Sequence, residues 1–506
     1  MLFPTYEFLL FFFIVLICVS LLKSRITSYK FFLLFINIIF YSFWGINFLE
    51  LLIANIVINY LILEGISFSS KNKKILLTFG IIINIVYLGF FKYYNFFIDS
   101  FQETLNLLQI HSNIQILEVI IPIGISFYTF RIISHLIDCY RNQISCPRFL
   151  DYFIYITYFP QIASGPISRA KEFYQQLNSQ DKYKYKIERV IILIISGLFK
   201  KYTLSSFLFN FTKLPFQLPE QYSSFDLILA ALAYSCYIYV DFSGYSDLAN
   251  AISNLLGFPS VNNFNMPYRA RSLQEFWHRW HISLSEWLRD YLYIPLGGSR
   301  KGKVRKNFNL LLTMVIGGFW HGAGFNFIIW GFLHGFGLIV NHIWKGIVNK
   351  SQTVNQFKET NIENQLIIFS DDKESKIFLK WCIFYMQKYL SLCKPIFFSI
   401  LTFSYITFCW IFFNTPNLEI SWKFLRQIIN ISSNSIFLSQ FNIWQLYTVF
   451  CIVLVMNFYG DKISFFMQNI IARCNLLFQI LFVSTSLYIV FRLGPSTVPP
   501  FVYFGF

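Results

Sequence analysis

The chain has 506 residues, of which 56% are hydrophobic and 13% charged, against about 45–50% apolar and about 25% charged in soluble proteins. It carries 41 Lys and Arg against 25 Asp and Glu, a formal charge of +16. Too few polar residues are present to face water around the cores such a length would need, which excludes a soluble enzyme, a disordered scaffold and a secreted disulfide-rich protein.

What remains is an integral membrane protein. Its basic residues gather in short connections between apolar runs, where they fit loops held against anionic membrane lipids and not nucleic acid. The nine cysteines form no C-x-x-C pair and read as small buried hydrophobes.

The first apolar run, residues 8–22, precedes Lys23, Arg25 and Lys30. That order is the reverse of a cleaved signal peptide and predicts an uncleaved helix whose basic end lies in the cytoplasm. Runs at 31–50 and 51–66 go out and return to Lys71, Lys73 and Lys74. Runs at 75–91 and 119–137 go out towards Asp99 and Glu103 and return to Arg141 and Arg148. Each basic loop falls on the cytoplasmic side, as the positive-inside rule requires.

Further runs follow at 190–211, 225–256, 310–319, 327–343, 395–413, 443–458 and 476–491. At roughly 20 residues per crossing, the expectation is an all-α membrane bundle of about 11 spanning helices with re-entrant or interfacial pieces. One membrane domain covers 1–506: N-terminal helices to 120, a core over 121–345, a polar loop outside the bilayer over 346–377, and C-terminal helices over 378–506.

Polar groups inside apolar runs carry the functional information, because a helix in lipid has no reason to hold them unless they face protein or water. In the run 234–256, Asp241, Ser243, Tyr245, Ser246, Asp247 and Asn250 interrupt the apolar pattern. The plain reading of the two carboxylates is structural: they cap a helix or pair with an arginine of the following basic segment. Gly244 between them permits close packing or a local break.

The segment 265–306 holds Arg269, Arg271, Arg279 and Arg289, with His278, His281, Trp277, Trp280 and Trp287. It is too polar to span and has the character of an interfacial helix. Its arginines suit either the phosphates of a nucleotide-bearing donor or anchoring at the membrane surface. For Lys301, Lys303, Arg305 and Lys306 anchoring is the preferred reading. His278 and His281 are three apart, yet no cysteine or carboxylate stands at a recognised zinc spacing beside them, so no metal is expected.

In the segment 313–337, His334 and the Gly331-x-x-x-Gly335 spacing read as core packing. His321 is different. Gly317, Gly318, Gly322 and Gly324 flank it, and thin packing there would let a reactant approach its ring. A neutral imidazole in a dry site suits removal of a proton from a hydroxyl.

The wording of PIGISFYTFRIISHLIDCYR, YFPQIASGPISRAKEF, GLFKKY, DFSGYSDLA, FWHRWHISLSEWLRDYLYIPLGGSRKG, GGFWHGAGFNFIIWGFLHG, WIFFNTPN and the aromatic end FVYFGF, in that order, resembles the membrane-bound O-acyltransferase (MBOAT) family. The resemblance is to its bacterial branch for alginate O-acetylation. It implies a bundle with a central funnel or tunnel, a catalytic histidine at its centre in W-H-G, here His321, and a second polar position about forty residues earlier, here His281.

Trp320, Asn326, Arg279, Arg289, Asp241 and Asp247 are grouped with these two as candidate substrate-binding positions. His278 stands where the family often has arginine, which leaves its role open. The resemblance further implies an acyl thioester donor, acetyl-CoA or a carrier-bound acyl group, with no bound cofactor. It implies a polysaccharide acceptor, reached directly or through a periplasmic SGNH-type transferase, and residence in a bacterial inner membrane. Other glycan acceptors such as peptidoglycan, D-alanyl transfer to teichoic acid, a metal-dependent membrane enzyme and a secondary transporter are the alternatives; a transporter would carry an internal repeat, and none is visible.

Overall fold

The computed structural model describes residues 3–502 except 4, 70, 111–116, 118, 181–182, 369–372, 431–442, 496–498 and 500, and for residues 6 and 349–392 the backbone alone. The described elements are helices. The first four are α1 (Tyr6–Leu22), α2 (Ile26–Ser42), α3 (Ile46–Phe68) and α4 (Lys73–Leu107). Then come α5 (Ile125–Tyr140), the short α6 (Phe149–Thr157), α7 (Phe159–Ile162) and α8 (Ala170–Asn178), and α9 (Ile187–Leu198). A π-helical turn, Phe199–Leu204, joins α9 to α10 (Ser205–Gln217), and α11 (Ser224–Leu255) follows.

The short α12 (Leu273–Arg279) and α13 (Ile282–Leu288) precede α14 (Gly302–His321), α15 (Phe325–Ile368) and α16 (Lys373–Asn414). The last three described are α17 (Leu418–Ile429), α18 (Ile443–Arg473) and α19 (Leu476–Leu493). Starts follow local chemistry: the Ser223 side chain accepts from the Asp226 N–H while the Asp226 carboxylate accepts from the Ser223 N–H, a reciprocal cap.

Among the described residues, eight helices are long and apolar enough to cross a membrane, and α1 and α2 are shorter apolar helices. The expected number, about eleven, counted two runs that the structure uses otherwise. Run 119–137 becomes α5, only 16 residues long and buried on nearly every face, with Arg131, His135 and Asp138 inside. Run 310–319 is the second half of α14, whose first turns carry Lys303, Arg305 and Lys306.

The polar stretch 346–377, expected as a loop, is helical: α15 continues to Ile368 and α16 begins at Lys373. Between Lys350 and Ile368 there is no Gly or Pro to end a helix. Only 369–372 of that stretch lie outside the described backbone.

The centre of the bundle is α11, buried along most of its length, whereas α4 and α19 leave most of their apolar surface for lipid. Close approach makes α11 central. A Cβ on Gly197 would stand 3.0 Å from the Gly244 carbonyl oxygen, and a Cβ on Gly244 would stand 2.9 Å from the Lys201 backbone nitrogen. Gly244 therefore serves close packing, and α11 continues through it unbroken.

Candidate functional site

His321 is the last residue of α14 and is 4% exposed. Its ring lies 4.9 Å from Trp320, 5.1 Å from Trp330 and 5.3 Å from Phe413. The helix end would leave carbonyls unsatisfied in an apolar setting. Lys92 of α4 answers this: its Nζ donates to the carbonyl oxygens of Trp320, at 2.7 Å, and His321, at 2.9 Å. The Tyr93 hydroxyl donates to the Phe319 carbonyl at 2.9 Å.

The glycines around His321 have another use than the one expected. A Cβ on Gly318 would meet the Phe327 carbonyl oxygen at 2.4 Å, and one on Gly331 the Met314 carbonyl oxygen at 2.4 Å. A Cβ on Gly322 would enter the Phe327 ring. These positions bring α14 and α15 into backbone contact, so the space is filled by packing and is not an opening towards the imidazole.

His281 is fully buried and occupies the left-handed region (φ 42°) at the start of α13. Its Nδ1 is 3.1 Å from Asn263 Oδ1, which also accepts from the Ser283 hydroxyl at 2.9 Å. Because that oxygen only accepts, Nδ1 carries the proton and Nε2 presents a lone pair. The His281 ring meets Phe242 of α11 edge-on at 4.7 Å. Trp330 contacts both the His321 ring, at 5.1 Å, and the His334 ring, at 4.6 Å. His281 and His321, forty positions apart in sequence, are thus both buried.

The other candidates separate into distinct settings. Trp320 stacks on Phe130 at 4.8 Å, which stacks on Trp287 at 3.8 Å. Asn326 donates from Nδ2 to the Thr415 carbonyl at 2.9 Å and ties α15 to the end of α16. Arg279 forms an ion pair with Glu275 at 2.9 Å, one turn earlier on the interfacial α12. Burial raises the Glu275 carboxyl, but the Arg271 N–H and the Arg279 guanidinium outweigh it and hold it below the usual carboxylate range.

Arg289 is half exposed and pairs with the adjacent Asp290 at 2.7 Å. His278 is exposed while His281 is buried, so the two rings do not face a common point. His334 lies inside an aromatic shell of Trp277, Trp330 and Trp410.

Asp241 and Asp247 are paired, as their plain reading expects, but with lysines of the π turn in place of arginines of the basic segment. Lys200 reaches Asp247 at 2.7 Å, and Lys201 reaches Asp241. Beside the first pair lies a cavity of about 950 Å³ between α9, α11, α18 and α19, large for a small-molecule site. Arg189, Ser196, Asn250 and Asn263 are among its polar lining residues. Asn263 thus connects this cavity to His281.

Sequence reading missed Lys92, Asn263, Lys200 and Lys201. For Lys92 a signal existed: one charge between Phe91 and Tyr93 within a long apolar helix. Asn263, in a stretch of ordinary loop composition, carried none.

The family model described as MBOAT, membrane-bound O-acyltransferase family, matches residues 98–370. The chain is 33% identical over 437 residues to a peptidoglycan O-acetyltransferase of Helicobacter pylori, covering 80% of this chain and 75% of that protein. It is 40% identical over 312 residues to a probable alginate O-acetylase AlgI of Pseudomonas syringae pv. tomato, covering 61% of this chain and 60% of that one. The corresponding Pseudomonas aeruginosa protein is 33% identical over 420 residues, or 82% of this chain and 70% of the relative.

Proposed function

The chain belongs to the membrane-bound O-acyltransferase family and is a multi-pass membrane acyltransferase of the alginate O-acetylase-like branch, and we propose that it carries an acyl group, acetyl in the first place, from a cytoplasmic thioester to a glycan hydroxyl beyond the membrane. The donor is acetyl-CoA or a carrier-bound acyl group. The acceptor is reached directly or through a periplasmic transferase of the SGNH type. Similarity to a peptidoglycan O-acetyltransferase and to alginate O-acetylases supports a glycan as the final acceptor.

His321 is the general base. It takes the proton of the acceptor hydroxyl while that oxygen attacks the thioester carbonyl carbon. The carbon–sulfur bond then breaks, and the departing thiolate receives the proton from the imidazolium. His281, with Nδ1 committed to Asn263, orients the acceptor or stabilises the developing charge through its other nitrogen. Lys92, whose Nζ donates to the carbonyls of Trp320 and His321, holds the helix end that bears the imidazole. The cavity that Asn263 helps to line is the candidate chamber for the donor.

The observation that carries this reading is the burial of His321 at the end of α14, whose last carbonyls are capped by the buried Lys92 side chain, in a bundle that also buries His281. The test is transfer from acetyl-CoA by purified His321→Ala and His321→Gln protein that elutes as the parent does in detergent. A fall of about 10²–10⁴-fold is expected, the usual worth of general-base assistance. Parent-like rates in both variants would refute the assignment.

A further inference from the structure

The buried carboxylate of Asp241 is shared between two partners, and one of them is the end of the chain. Its Oδ1 pairs with Lys201, and its Oδ2 accepts the Val502 backbone N–H at 3.0 Å. Phe501 is 2% exposed, and the Lys201 Nζ stands 5.3 Å over its ring. The same ring lies 4.8 Å from Tyr245 and 5.5 Å from Phe242. Phe242 in turn is the ring against which His281 rests.

Successive residues of the π turn hold this segment. The Tyr202 hydroxyl donates to the Pro495 carbonyl at 2.7 Å, and the Thr203 hydroxyl donates to the Val490 carbonyl at 3.2 Å. Gly494 makes room where the chain leaves α19, since a Cβ there would overlap the Tyr202 ring. The π turn therefore grips both the last turn of α19 and the chain just beyond it.

We propose that Phe501 and Val502 form a wall of the acyl-transfer site, clasped by Asp241 and Lys201, and that Asp241 and Phe501 are positioning residues for His281. The inference rests on the proposed role of His281 beside His321. The argument is electrostatic and steric together. A carboxylate at membrane depth needs every lone pair engaged, and the ion pair alone leaves Oδ2 to the Val502 N–H. The clasp then presses Phe501 against Phe242, the ring that the His281 imidazole meets edge-on. Asp241 so serves the chain's own tail and does not face substrate.

The test uses the full chain with its nine cysteines replaced and Val502→Cys introduced, a change that keeps the backbone donor. Two quantities are read: the rate of maleimide labelling at 502, and steady-state transfer from acetyl-CoA. In the Asp241→Asn background, labelling is expected to rise by about tenfold or more, the scale of one hydrogen bond to a charged group. There kcat falls by about tenfold, while the donor KM stays within about twofold, as for an interaction realised only in the reacting complex.

Without the 502 change, Phe501→Leu retains most of kcat and Phe501→Ala loses it. If Asp241→Asn protein does not accumulate, Phe501→Ala, which leaves the ion pair in place, decides by the same labelling and kinetics. Unchanged labelling overturns the clasp, and raised labelling with parent kcat overturns the positioning role. If the parent itself transfers nothing from any thioester, the acyl-transfer reading fails and the positioning role falls with it. The labelling comparison still decides whether Asp241 holds the tail.

Discussion

Lys92 carries an amino group into the apolar interior for the sake of two carbonyl groups. Its long stem crosses from α4 to the end of α14, and its Nζ is the donor to both Trp320 and His321. Substituting Lys92→Met keeps the stem and removes the donors. Each buried acceptor left without a partner costs about 1–3 kcal/mol, so a lower melting temperature in detergent is expected. The end of α14 then frays at the residue that bears the imidazole, and transfer should fall by about tenfold or more. A Lys92→Met protein with parent kcat would mean that the helix end is held in place by packing alone. Lys92 was within reach of sequence reasoning, because a lone charge in an apolar helix asks for a partner. Its partners, more than two hundred residues away, were not. Asp241 and Asp247 teach the same lesson: their pairing could be read from their burial, but Lys200 and Lys201 are named only by the fold.

At the scale of elements, the contact of α14 with α15 sets where His321 stands. Gly318 and Gly331 let the two backbones touch, each with a neighbouring carbonyl oxygen 2.4 Å from where a Cβ would be. An alanine at Gly331 must push the helices apart or bend one of them, an overpacking cost of about 1–3 kcal/mol. Gly346, on the same helix α15, has nothing within 4 Å of a Cβ among the described residues. Gly346→Ala should therefore leave activity as it is and add up to about 1 kcal/mol of helix propensity. Melting curves and transfer rates of the two variants separate the effects: Gly331→Ala lowers both, and Gly346→Ala lowers neither. Equal behaviour of the pair would show that backbone contact at Gly331 is not needed. The apolar runs located the spanning helices well, since hydropathy reports burial in lipid directly. It fails where a helix is buried in protein instead, as with α5, and where the run is only the second half of a helix that begins among lysines, as with α14. The π turn at Phe199–Leu204 had no mark in the sequence at all, for an extra residue in a helical turn changes neither composition nor period appreciably.

For the whole molecule, the distribution of charge assigns the two faces of the membrane, and the structure supplies independent links between the loops. Lys73 donates to the Asn142 side chain at 3.3 Å, and Arg141 donates to the Asp290 carbonyl. The loops after α3, after α5 and after α13 therefore share one end of the bundle, the end rich in Lys and Arg. The Ser224 hydroxyl donates to the Ile428 carbonyl, and Gln427 donates to the Tyr222 carbonyl at 3.0 Å. These contacts gather the start of α11 and the end of α17 at one place. The positive-inside rule puts the first group in the cytoplasm, the side of the proposed thioester donor, and the second on the side of the proposed glycan acceptor. Single cysteines at Lys71 and Lys303, both exposed, should react with a membrane-impermeant thiol reagent only from the cytoplasmic face. Cysteines at Glu220 and Glu419, also exposed, should react only from the opposite face. Vesicles of both orientations, prepared from protein otherwise free of cysteine, give the four measurements. Labelling of Lys71→Cys and Glu419→Cys from the same side would contradict the arrangement, and with it the delivery of the donor from one face to an acceptor on the other.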